Sequence, residues 1–192
     1  MPDARQSAER ALGFSKGLDV LYGATIALIL SGSPRGAALI DDLEKRFPED
    51  TLAQLSYLPV LRALLALDQH EPTKAIELLQ AAAPTELAWT GSNSVGFNGS
   101  LYPIYVRGLA YLAAREGAKA GMEFQKILDH RAIVISGPIG ALARLQLGRG
   151  LAMAGDKARA KTAYQDFLTI WKDADPDVPI LKQAKAEFAK IH

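Results

Sequence analysis

Gly108-Leu109-Ala110-Tyr111-Leu112-Ala113, followed by Ala120 and Phe124, decides the fold. The pattern returns 40 residues on as Gly148-Arg149-Gly150-Leu151-Ala152-Met153, followed by Ala160 and Tyr164. Gly108 to Gly148, Ala120 to Ala160 and Phe124 to Tyr164 share one offset. A small residue, a large one, then alanine and an aromatic at fixed spacing is what stacked helix-turn-helix units require. Glycine at such a position lets two helices approach where any side chain would push them apart.

Working outward, residues 138–154 read as one helix, with Leu142, Leu145, Leu147 and Leu151 apolar at helical spacing. Pro138 suits the first turn and Ser136 a cap. Gly155 supplies a left-handed turn and Asp156 the N-cap of a second helix over residues 157–171. That helix turns Ala160, Tyr164, Phe167 and Leu168 inward. The upstream copy predicts helices over 101–115 and 118–130, turned at Glu116-Gly117, with Ala120, Phe124, Ile127 and Leu128 inside.

Weaker copies precede these. Thr51-Leu52-Ala53-Gln54 resembles a capping box opening a helix to about residue 67, and residues 73–82 return after a turn at Gln69-His70-Glu71-Pro72. Residues 18–30 and 35–46 form another pair around Ser31-Gly32-Ser33-Pro34. Residues 4–14 read as half of a repeat. Residues 177–191 form a lone amphipathic helix, with Ile180, Leu181, Ala184 and Phe188 on one side. Lys182, Lys185, Glu187 and Lys190 fall mostly on the other, which suits a helix closing an exposed end. The alanines at 37, 75, 120 and 160 anchor the pairs at intervals of 38, 45 and 40. The expectation is therefore all-α and a single domain over 1–192. It comprises a partial repeat (1–16), pairs at about 18–47, 51–82, 100–131 and 138–172, and a capping helix (177–191).

Composition sets the outer bounds. The 192 residues are 49% apolar, so a core can be buried, and Ala and Leu dominate it. Net charge is +1, which gives no reason to expect nucleic acid or an anionic membrane as the main partner. There is no cysteine, so thiol chemistry and zinc–thiolate sites are excluded. The longest apolar run, Val20 to Leu30, is roughly half of the ~20 residues a membrane helix needs. A cytoplasmic location is expected, without excluding a signal or anchor on a preceding segment.

At Gly-x2-Tyr/Leu, then Ala, then Phe/Tyr, the chain resembles the tetratricopeptide repeat family, well in the last two pairs and loosely in the first two. That resemblance implies a right-handed α-solenoid. Longer strings carry a narrower one: Arg46-Phe47-Pro48-Glu49-Asp50-Thr51, Leu101-Tyr102-Pro103-Ile104-Tyr105-Val106-Arg107-Gly108, Glu123-Phe124-Gln125-Lys126-Ile127-Leu128-Asp129-His130-Arg131 and Trp171-Lys172-Asp173-Ala174-Asp175-Pro176-Asp177. These look like the repeat region that follows the kinase domain in bacterial, notably acidobacterial, eukaryotic-like serine/threonine kinases. Related regions follow winged-helix domains in some regulators. No kinase motif is present, so no catalytic residue carries over; the implication is a sensing or docking module.

In such arrays the first helix of each pair lines the concave face. By register the candidates are Tyr57, Val60 and Leu64; Tyr102, Tyr105 and Leu109; Leu142, Leu145, Gln146 and Arg149. A groove with tyrosines and an arginine at its centre suits a peptide or a helix. The competing reading is that the three tyrosines only pack against the long insertions. Arrays that clamp a C-terminal carboxylate use Lys and Asn at positions held here by Val60 and Leu64, which favours a more apolar ligand.

Other features read structurally. Residues 83–100 contain Gly91, Gly96 and Gly99 but no lysine, so a covering loop is preferred to a phosphate loop. Trp89 and Phe97 can fold back onto the first helices. His130 and Arg131 complement a helix dipole. Three scattered histidines without cysteine make no metal site. Arg62 and Arg107 share a repeat position and can hold carboxylates, such as Asp68 or Glu123. The leading expectation is a non-catalytic protein- or peptide-binding scaffold with no cofactor. The alternatives are a homo-oligomerisation module, and an enzyme with a site under the 83–100 loop.

Overall fold

The computed structural model describes residues 2–88, 101–134 and 137–191, and every regular element among them is helical. Contacts divide the chain into two compact units, Met1–Ala88 and Trp89–His192.

The first unit contains α1 (Pro2–Phe14), α2 (Leu18–Leu30), α3 (Arg35–Arg46), α4 (Leu58–Asp68) and α5 (Pro72–Leu78). Helix α1 packs on α2, α2 on both α3 and α4, and α4 on α3 and α5. Leu21, Tyr22, Leu28, Leu43, Leu58 and Leu61 are fully buried at its centre. The second unit contains α6 (Tyr102–Ala113), α7 (Gly117–Asp129), α8 (Arg131–Val134), α9 (Pro138–Met153), α10 (Lys157–Ile170) and α11 (Pro179–Phe188). Here α6 packs on α7, α7 on α9, α9 on α10 and α10 on α11, and α6 also touches α9. Phe124 of the first copy of the motif, and Phe167, three residues after Tyr164 of the second, are both fully buried. Each removes roughly 2–3 kcal/mol worth of apolar surface from water.

The four pairs α2–α3, α4–α5, α6–α7 and α9–α10 turn in the same way. Gly32, His70, Arg115 and Gly155 all have positive φ, between 62° and 86°. The amide of the next residue donates five residues back in each case: Ser33 to Leu28, Glu71 to Ala66, Glu116 to Tyr111 and Asp156 to Leu151, at 2.8–2.9 Å. This is one Schellman turn made four times, with carbonyls at the helix end satisfied by the left-handed residue and its successor. The spacings of 38, 45 and 40 residues repeat those of the alanine anchors. The third turn sits at Arg115-Glu116 rather than Glu116-Gly117, since Gly117 already begins α7.

Two of these positions carry side chains that strain the left-handed backbone, a conformation in which L-residues lose roughly 1–2 kcal/mol. We expect His70→Gly and Arg115→Gly each to raise stability by about 0.5–1 kcal/mol, after the extra freedom of glycine in the unfolded chain is subtracted. Denaturant titration reads this directly, and a loss of stability in both variants would contradict it.

Three local differences from the sequence reading have physical causes. First, Ala75, Ala120 and Ala160 are fully buried, but Ala37 is exposed. Its place is taken by Gly36, where a Cβ would lie 2.6 Å from Ile29 Cγ1. The Gly36 amide donates to Ser33 only three residues back, so α3 starts with a tighter turn that brings residue 36 to the contact. Second, the cap ahead of α4 is Asp50, not Thr51: Asp50 Oδ1 accepts from the Ala53 amide at 2.9 Å. Gln54 Nε2 donates back to the Phe47 carbonyl at 3.0 Å. Third, Ala53–Tyr57 is a π-helical turn. Pro59 lacks an amide hydrogen and its ring crowds the carbonyl four residues back, and a widened turn upstream relieves both problems.

The linker after α7 holds the single turn α8, which the sequence reading leaves irregular. The Asp156 cap holds, its side chain accepting from the Arg159 amide at 3.0 Å. His130 also acts structurally, with Nδ1 2.7 Å from the Lys126 carbonyl at the end of α7. Ser136, Trp89, Phe97 and most of the 83–100 segment lie outside the described residues.

Candidate functional site

Burial sorts the candidate residues on the first helices. Tyr57 is 3% exposed; its ring stacks on Tyr22 with centroids 3.7 Å apart, and its hydroxyl donates to Asp19 Oδ1 at 2.7 Å. Burial, then the bond to Asp19, push its phenol well above the ordinary tyrosine range. Tyr57 is thus a core residue of the first unit, and Val60 and Leu64 beside it are also buried. Arg62, on the same helix, reaches Glu44 at 2.7 Å rather than Asp68.

In the second unit Tyr102, Tyr105, Leu109, Leu142 and Arg149 keep part of their surface, while Leu145 and Gln146 are buried. Arg107, at the position equivalent to Arg62, pairs with Glu123 at 2.6 Å. The Tyr105 ring meets Phe124 edge-on, centroids 5.7 Å apart. Desolvation raises its phenol, with Gln146 and Arg149 pulling the other way; desolvation also raises Tyr102.

Structure brings three groups of this face, and Tyr164 of α10, together with a carboxylate from α11. Arg149 Nε and Nη2 each donate to one oxygen of Glu187, both at 2.8 Å. The Tyr164 hydroxyl donates to Glu187 Oε2 at 2.8 Å. Arg149 Nη1 donates to Gln146 Oε1 at 3.3 Å, and Gln146 Nε2 to the Tyr105 hydroxyl at 3.4 Å. The result is a polar row crossing from α6 over α9 to α11. Beneath it, Leu181 and Ala184 of α11 join Leu145, Tyr164 and Phe167 in one apolar cluster.

Glu187 is the residue that sequence reasoning put on the wrong side. Its neighbours Leu181, Ala184 and Phe188 do pack inward, and Lys182, Lys185 and Lys190 are exposed. Position 187 lies three residues after Ala184, so helical spacing alone assigns it to the inner face. Its charge suggested water, whereas Arg149 supplies a counterion inside. Partial burial opposes the charge, but hydrogen bonds from Arg149 and Tyr164 outweigh it and hold the carboxyl below its ordinary 4.5. Such bidentate arginine–carboxylate pairs add geometric specificity as well as attraction.

The sign of the pH effect follows. With the folded-state pKa depressed, the Glu187 contribution is complete above 4.5 and is lost as pH falls through the folded value. We expect Glu187→Gln to lower stability at neutral pH by about 1 kcal/mol, discounted for the partial exposure of the pair. The gap from the parent should shrink as the pH is taken down to about 3. Thermal melts at the two pH values check this, and a gap independent of pH would refute it.

A groove lies on the opposite side of α9 from Arg149. Helices α7 and α10 flank α9 in an open groove of about 510 Å³, with Leu147 and Leu151 lining it beside Met122, Gln125 and Arg159. Met122 is 72% exposed there, an orientation the repeat register does not reveal. Among the described residues no cluster of His, Cys, Asp and Glu could hold a metal, and no helix is long and apolar enough to cross a membrane.

Comparison with known proteins gives no match to a family model, to a curated protein or to a solved structure.

Proposed function

We propose that the chain is a non-catalytic helical scaffold that binds a protein segment on the first-helix face of its second unit. The observation that carries this reading is the seat of α11: Leu145 and Arg149 of the first helix α9, with Tyr164 and Phe167 of its pair-mate α10, hold a helix by apolar side chains beneath and an arginine–carboxylate fork above. A surface able to grip one helix in this way has the chemistry to grip another. Tyr102, Tyr105, Leu109 and Leu142 extend it along α6 and α9.

The four equivalent Schellman turns, and the contacts between first helices of neighbouring pairs within each unit, α2 with α4 and α6 with α9, support tetratricopeptide-like stacking of helix pairs; the sequence resemblance adds the expectation of a right-handed solenoid. The four strings that resemble the repeat region of bacterial serine/threonine kinases support a docking or sensor role in a cytoplasmic signalling protein. Selection of helical peptides from a display library against the full chain tests the binding function. Enriched peptides should carry an acidic residue among aliphatic ones, and should lose at least tenfold in affinity against Tyr105→Ala/Leu142→Asp. Peptides that bind this variant as well as the parent would exclude the face.

A second reading is homo-oligomerisation. It is favoured by Phe14 and Leu30 of the first unit, which are 85% and 58% exposed. A mass by light scattering that stays monomeric across concentrations removes it.

A further inference from the structure

We infer that α11 is an internal competitor, seated on a site that takes an amphipathic helix bearing a carboxylate from a partner; the inference rests on the binding function proposed above. Three observations lead to it. The attachment of α11 is one-sided: of its ten residues only Leu181 and Ala184 are fully buried, with Ile180 and Phe188 partly buried against the same cluster. A segment of this length has little helical stability of its own, so it is held by these four apolar side chains and by Glu187. Segments with few buried contacts open at a free energy below that of global unfolding.

The surface beneath is specific. When α11 leaves, Arg149 loses its anion, Tyr164 its acceptor, and Leu145 and Phe167 their cover. Arg149 remains tethered to Gln146, and Gln146 to Tyr105, so the guanidinium keeps partners that orient it toward an incoming carboxylate. The α11 pattern defines what fits: apolar residues at positions i and i+3, Glu at i+6 and an aromatic at i+7, as in Leu181, Ala184, Glu187 and Phe188. Cationic residues on the far side, such as Lys182 and Lys185, stay in water and do not select.

The occupant is thus a partner helix of α11-like pattern, and occupancy is set by competition with α11. An internal competitor reduces the apparent affinity of the external ligand by the fraction of time the site is open. Weakening α11 without touching the site should therefore strengthen binding in trans.

The test uses the full chain and a fluorescein-labelled synthetic peptide with the sequence of residues 177–191. Hydrogen exchange should show the amides of α11 opening well before those of α9. The peptide should bind Leu181→Asp chain about tenfold more tightly than parent chain, because this change loosens the internal helix and leaves α9 and α10 intact. Glu187→Gln in the chain, a milder variant, should shift affinity in the same direction. The same substitution in the peptide should weaken binding about tenfold. Equal peptide affinity for parent, Leu181→Asp and Glu187→Gln chains would overturn the inference, as would α11 amides exchanging no faster than α9. Failure of the two readings is distinguishable. Library peptides that bind through Tyr105 and Leu142 but do not compete with the α11 peptide would sink the competitor and leave the binding function standing.

Discussion

Gly117→Ala is expected to destabilise the second unit by about 3 kcal/mol, at the upper end of what overpacking one methyl group does. A Cβ on Gly117 would lie 2.6 Å from the Gly150 carbonyl oxygen, 2.8 Å from Met153 Cβ and 2.9 Å from the Ala154 amide nitrogen. Two of these are backbone atoms and the third sits next to it, so none can rotate aside. Contact is reciprocal: a Cβ on Gly150 would meet the Gly121 nitrogen at 3.0 Å and the Gly117 oxygen at 3.1 Å. Helices α7 and α9 therefore touch main chain to main chain, and a methyl group there has to pry them apart along their length. Gly121, four residues along the same helix, is the control. Its nearest neighbours to a Cβ are Leu147 Cδ1 at 3.8 Å and Leu151 Cδ2 at 3.9 Å, ordinary contact distances. Gly121→Ala gains helix propensity without a clash and is expected to stabilise by about 0.5–1 kcal/mol. Opposite signs for two identical substitutions one turn apart, measured by denaturant titration, are the signature. Equal effects would mean that the helices do not approach as closely as this.

Gly117 also marks where sequence reading stops. Periodicity identifies elements because burial has a helical period, and it placed α2, α3, α9 and α10 to within a residue. The Ala120–Phe124 and Ala160–Tyr164 spacings further named the inward faces, since all four side chains are buried. The sequence alone puts Gly117 in the turn, at Glu116-Gly117. The turn instead used Arg115, whose left-handed conformation no propensity scale favours. Tertiary contact with α9 claimed the glycine, and contact between helices is not written in local sequence.

The candidate face was legible in outline and misread in detail for a related reason. Register puts Tyr105, Gln146 and Arg149 on one face, and the three are hydrogen-bonded in series. Register says nothing about what lies across from a side chain. Tyr57 occupies the same helix face, yet Tyr22 and Asp19 of α2 consume its ring and its hydroxyl. Val60 and Leu64 suggested an apolar ligand, while the polar row that forms runs through the other unit and receives a carboxylate. Glu187 is found only when helical spacing is allowed to overrule charge.

Gly148→Ala and Gly108→Ala test whether the opening motif is more than architecture. A Cβ at 108 would meet Phe124 Cζ at 2.6 Å, and one at 148 would meet Tyr164 Cδ2 at 2.7 Å. Both rings are buried, so neither can swing away without displacing its own neighbours. Helix propensity returns about 1 kcal/mol in each case, leaving an expected net loss of about 2 kcal/mol. Shrinking the ring should restore part of it: Phe124→Leu beside Gly108→Ala, and Tyr164→Leu beside Gly148→Ala, give positive coupling in a double-mutant cycle. The two sites then diverge. Phe124 ends in carbon, whereas Tyr164 ends in the hydroxyl that donates to Glu187. Displacing the Tyr164 ring by even a few tenths of an ångström lengthens that bond, so Gly148→Ala should speed hydrogen exchange in α11 while Gly108→Ala leaves it unchanged. The Tyr164→Leu rescue should recover part of the global stability but not α11 protection. If it recovers both, the hydroxyl is irrelevant to holding α11, and Arg149 carries the carboxylate alone. If α11 slows or is untouched in Gly148→Ala, the motif and the binding face are independent. The expected outcome ties them together: the glycine that lets α9 and α10 meet also sets the height at which Tyr164 offers its hydroxyl to the helix above.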